Sequence, residues 1–228
     1  MGKLPSRPCI HIKEHSMKDR YTDINEYIHD LQEEIAKDPK CAIHHYNLGC
    51  AMLSLGDYTE AEECFLNAVR QSPHLAEAFV QLGGLCQRRG DLEGCLQYNK
   101  EAAEARAKFP EPWNNIGFVY LQQGEIDKAI GALQKALTWN PRFVQARSNL
   151  ASALYQKGEY EKCVETCNMV IREFPDFAPV WNNLSLAAFE LGEIEKAYEA
   201  ALKAYEFGFD VADDYWKQLK EARDKARS

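Results

Sequence analysis

Cys9, His11 and His15 are of the types that bind soft metals, and they lie close together near the start of the chain. Their segment also holds Pro5 and Pro8 and offers no framework to fix a coordination geometry. Eight cysteines occur in all, at Cys9, Cys41, Cys50, Cys64, Cys86, Cys95, Cys163 and Cys167, and none forms a CxxC pair. Cys163 and Cys167 are one helical turn apart, either as small apolar packing residues or as a ligand pair, and packing is the reading adopted. So many thiols point to a reducing compartment and a cytoplasmic location. Nucleophile elbow, phosphate loop and HExxH are all absent from the sequence. The expectation is therefore no catalytic residues, no metal, no cofactor and no enzyme activity.

A second set of residues does a different kind of chemistry. Asn47, Gln81, Asn115, Asn149 and Asn183 recur every 34 residues. A side-chain amide offers one acceptor and two donors, so a row of them can pair with the N–H and C=O groups of an extended peptide. The alternative is that the amides are common to the repeat and idle. Val80, Phe118, Leu121, Tyr155, Leu186 and Phe189 lie between them. These are either a binding surface or residues covered by the next repeat.

The spacing demands a repeating framework. Gly49, Gly83, Gly117, Ala151 and Ser185 form one column of small residues, and Gly56, Gly90, Gly124, Gly158 and Gly192 a second, seven positions later. Ala61, Cys95, Ala129, Cys163 and Ala197 form a third, and Ala68, Ala102, Ala136, Val170 and Ala204 a fourth. Pro73, Pro141 and Pro175 mark the end of the period, with Pro39 in the same column upstream. Small residues let two antiparallel helices approach closely, the second-column Gly ends the first helix, and Pro stops the second. The residue after each turn Gly is acidic (Asp57, Asp91, Glu125, Glu159, Glu193), which favours a helix start.

These columns resemble the tetratricopeptide repeat, most fully at Trp113, Ile116, Gly117, Tyr120, Ala129, Leu133, Ala136 and Pro141. Five repeats are read, 42–75, 76–109, 110–143, 144–177 and 178–211, covering 170 of 228 residues. A half-repeat helix at 21–41 precedes them, a flexible basic arm at 1–20 comes first, and a capping helix at 212–228, started by Asp210, closes the stack. The resemblance implies an all-α right-handed α-solenoid of stacked hairpins whose first helices line a concave groove. Repeat two departs from the pattern, with Asn99 at a large apolar position, Gly94 inside a helix and Ala107 at the proline column. The cationic positions of the chaperone-binding clamp hold mainly Tyr46, Val80, Asn114 and Ser148, so chaperone C-termini are not expected partners.

Charge narrows the partner class. Residues 1–20 and 217–228 are each net +3, which leaves −14 for the body of a chain whose net charge is −8. A body of that sign lacks the coherent basic face that nucleic acid requires. No apolar stretch reaches the length of a membrane span. Gly2 and Ser6 fit a loose lipidation pattern, against which Lys3 and Pro5 speak. The reading is a cytoplasmic protein-interaction scaffold, an adaptor or assembly factor that binds another protein or peptide segment in the groove. The alternative is a self-assembling homo-oligomer that uses the basic arm, and a metal- or redox-responsive regulator ranks third.

Overall fold

The structure is a computed structural model and describes residues 23–227. The basic arm, with Cys9, His11, His15 and the Gly2 motif, lies outside the described residues. Twelve helices and no strands occur among the described residues. In chain order they are α1 (Ile24–Lys37), α2 (Ala42–Leu55), α3 (Tyr58–Gln71), α4 (Ala76–Arg88), α5 (Leu92–Ala105) and α6 (Pro110–Gln122). Then follow α7 (Ile126–Trp139), α8 (Val144–Gln156), α9 (Tyr160–Glu173), α10 (Ala178–Glu190), α11 (Ile194–Glu206) and α12 (Asp213–Arg227). They form two compact units, one ending at Ala107 and the other starting at Lys108. The division falls in repeat two's proline column, where this chain has Ala107.

Each hairpin turn is built the same way. Gly56, Gly90, Gly124, Gly158 and Gly192 all have φ between 74° and 81°, a left-handed conformation that costs glycine alone nothing. The Gly N–H bonds back three residues and the next N–H bonds back five, as in Gly56 to Leu53 and Asp57 to Met52, both at 3.0 Å. The acidic residue after the turn caps the next helix only when it is Asp. Asp57 accepts from the Glu60 N–H at 3.1 Å and Asp91 from the Gly94 N–H at 2.8 Å. Glu125, Glu159 and Glu193 make no side-chain cap bond. Their extra methylene carries the carboxylate past the N–H groups, leaving the helix dipole as their contribution.

Inside a hairpin, size is traded across one contact. The small column faces Phe65, Asn99, Leu133, Cys167 and Ala201, all fully buried. A β-carbon on Gly49 would meet the Phe65 ring at 2.7 Å, and one on Gly117 would meet Leu133 Cγ at 2.6 Å. Where the small column holds Ala151 or Ser185, the facing residue shrinks to Cys167 or Ala201. Asn99 belongs to this series. Its amide lies against Gly83 and donates to the Cys95 carbonyl at 2.8 Å, so a polar group fills an apolar position without losing its hydrogen bond. Gly94 is likewise required, because a β-carbon there would lie 2.8 Å from Cys86 Sγ and collide with the Asp91 carboxylate.

In the first unit, Tyr27, Ile28 and Leu31 of α1 pack with Leu48, Ala51 and Cys64 of the first hairpin. In the second, Leu121, Ala129, Leu133 and Ala146 make one cluster, and Ala151, Cys163, Cys167, Val180 and Leu184 the next. The capping helix begins at Asp213, and Asp210 does not cap it. The first-turn N–H groups of Tyr215 and Trp216 both reach the Ala212 carbonyl, which fixes the start there. Leu219 of α12 is fully buried against Ala188, Ala197 and Ala201.

Candidate functional site

The second unit supplies the clearest surface. There the first helix α8 lies in direct contact with both α6 and α10, while each second helix packs chiefly on its neighbouring first helices. The row of first helices is the tighter of the two. It carries Asn115 and Phe118 on α6, Asn149, Ser152 and Tyr155 on α8, and Asn183, Leu186 and Phe189 on α10.

The amides make contacts that the sequence alone did not reveal. Asn149 Nδ2 donates to Asn114 Oδ1 at 2.9 Å, and Asn183 Nδ2 donates to the Ser148 carbonyl at 3.0 Å. Both bonds reach 35 residues back, from one first helix to the one before it. Asn115 Oδ1 accepts from Asn114 Nδ2 at 3.3 Å. One N–H of each of Asn149 and Asn183 therefore ties the row together. The signal was the column before the amides, where Asn114 and Ser148 stand and are buried.

The apolar residues divide by accessibility. Phe118 and Leu186 are half-buried. Leu121 is 7% exposed and packs with Ala129, Leu133 and Ala136, so it belongs to the core and not to an open surface. Tyr155 packs on Tyr160 with tilted rings whose centroids are 5.7 Å apart, and burial raises its pKa. Phe189 meets the Tyr215 ring edge-on at 5.8 Å. Tyr215 in turn lies 2.9 Å from Ser185 Oγ, which donates to the Ala197 carbonyl at 2.7 Å. Burial pushes the Tyr215 phenol up to about 12, with the Ser185 bond opposing the rise.

The first unit carries the other three expected residues. Val80 and Gln81 are half-buried on α4. Burial raises the pKa of Tyr46, with nearby Gln81 opposing the rise. Asn47 is only 7% exposed, and its Nδ2 is buried without a hydrogen-bond partner.

Among the described residues no group of three or more His, Cys, Asp or Glu is placed to hold a metal. Cys50, Cys64, Cys86, Cys95, Cys163 and Cys167 are free thiols. Burial raises the pKa of Cys64 to about 12 and that of Cys95 to about 11, which keeps both protonated and unreactive. A separate cleft of about 600 Å³ lies between α11 and α12, floored by Tyr198, Leu202, Tyr205 and Trp216. No described helix is long and apolar enough to cross a membrane.

Comparison with known proteins agrees with this architecture. Sequence models described as tetratricopeptide repeat match residues 45–75, 120–185 and 178–207. A stretch of 60 residues is 37% identical to the Photosystem I assembly protein Ycf3 of Sorghum bicolor, covering 26% of this chain and 34% of that protein. The chain thus spans about a third of that relative's length. Pseudomonas aeruginosa pilF superposes with a TM-score of 0.75 at 18% identity, over 91% of this chain and 93% of that one. YrrB, described as a TPR protein with an unusual peptide-binding site, superposes with a TM-score of 0.64 at 18% identity, over 78% and 92%. At these identities the two structures speak for the fold.

Proposed function

The chain belongs to the tetratricopeptide-repeat family, and from that premise we propose that it is a non-enzymatic scaffold, an adaptor or assembly factor, that holds an extended or helical segment of another protein along its first helices. One observation carries this reading. The row α6, α8 and α10 presents half-buried Phe118 and Leu186 among side-chain amides that the stack uses only in part. With one N–H of Asn149 and Asn183 tied to the preceding helix, the second N–H and the free lone pairs are what remain for a ligand backbone. Apolar side chains left partly open beside satisfied polar groups are the usual composition of a peptide groove. The assembly role named for Ycf3 and the peptide site named for YrrB support the same class of function.

The test is a quantitative pull-down from the native cell with three baits. These are wild type, an Asn115/Asn149/Asn183→Ala variant, and a Phe118→Ser/Leu186→Ser variant that leaves the inter-helix bonds in place. The reading expects one partner captured by wild type and lost with both variants, each shown to be folded by circular dichroism. Equal capture by all three would place the interaction elsewhere.

A further inference from the structure

The first-helix row of the second unit is nearly empty of charge. Across α6, α8 and α10 the only acidic or basic residues are Glu111, Arg147 and Glu190. Arg147 is committed to α9, with its Nη1 2.7 Å from Glu173 Oε1. Among the described residues the two carboxylates have no such ion pair. Glu111 is half-buried in the first turn of α6, and its Oε2 has no hydrogen-bond partner among the described residues. Glu190 is an exposed carboxylate at the last position of α10, beside Tyr155.

Their placement sets a length. The short turns make the first helices parallel, so Glu111 at the start of α6 and Glu190 at the end of α10 mark opposite corners of the row. Helix spacing of ~9 Å over two steps, and a rise of ~18 Å along thirteen residues, give a diagonal of ~25 Å. An extended chain covers that in roughly eight residues.

We infer that the segment held on this row is an extended stretch, free of Asp and Glu, with a Lys or Arg near each end to pair with Glu111 and Glu190. This rests on the groove reading above and adds the partner's chemistry. Between its ends the stretch is apolar or small, to lie on Phe118 and Leu186 while the amides take its backbone. An acidic stretch would set like charge against these two carboxylates.

The test is selection from a random twelve-residue peptide display library on full-length protein, in parallel with Glu111→Gln/Glu190→Gln and Asn115/Asn149/Asn183→Ala variants, followed by affinity measurement on synthetic winners. Wild type is expected to select peptides depleted in Asp and Glu with two basic residues about seven or eight positions apart. Each Glu→Gln change should weaken those peptides by up to about fivefold, an effect that fades in high salt. Winners without basic enrichment that still lose binding in the asparagine variant would overturn the charge rule and leave the groove reading intact. Winners indifferent to both variants, or no winners at all, would overturn both.

Discussion

At the scale of single residues, two adjacent glycines separate packing from propensity. Gly83 and Gly84 both lie in the interior of α4, where glycine is intrinsically unfavourable. A β-carbon at position 83 would run into the Asn99 amide, whereas one at position 84 would meet nothing within 4 Å. Gly83→Ala must therefore displace a fully buried side chain whose hydrogen bond to Cys95 would be strained. It is expected to lose about 1–3 kcal/mol of stability. Gly84→Ala is expected to be neutral or to gain up to about 1 kcal/mol. Urea unfolding of the two variants beside wild type decides the matter; equal effects would mean that Asn99 is free to move aside.

At the scale of helices, the turns look alike in sequence but do not start their second helices alike. Asp57 and Asp91 close a side-chain bond onto the first turn, and Glu125 does not. Asp57→Ala should therefore cost about 1 kcal/mol, the ordinary worth of an N-cap. Glu125→Ala removes only a surface charge near a helix start and its exposed pairing with Lys128, so its expected cost stays within about 0.5 kcal/mol. Thermal denaturation followed at 222 nm would show the difference, and a large loss at Glu125 would contradict the cap geometry described above.

At the scale of the molecule, the second unit depends on its last helix. Leu219 of α12 is fully buried on Ala188, Ala197 and Ala201, and Tyr215 closes the Ser185 bond beneath it. A chain ending at Gly208 would expose this surface, since each hairpin of such a stack needs a neighbour or a polar cap. It should melt several degrees lower than the full chain and bind more of a hydrophobic dye such as ANS. An unchanged melt would mean that α12 covers nothing the unit needs. Because Phe189 packs on Tyr215, the truncation would also loosen the α10 end of the candidate groove.

The period of 34, the hairpin turns and the small-residue columns were legible in the sequence, because each depends on local geometry. A left-handed turn needs Gly, Pro cannot continue a helix, and close approach of two helices needs a small side chain, wherever the chain sits in space. Other features depended on residues far along the chain. The expectation that Leu121 faces the groove failed because the packed hairpin covers it. The partners of Asn149 and Asn183 lie 35 positions back, on the preceding first helix, so only the stacking could pair them. The fit of Asn99 against Gly83 and the fate of Glu111 and Glu190 follow the same rule. Which side chains a helix can present is set by its own sequence, but which of them stay open is set by the elements that pack against it.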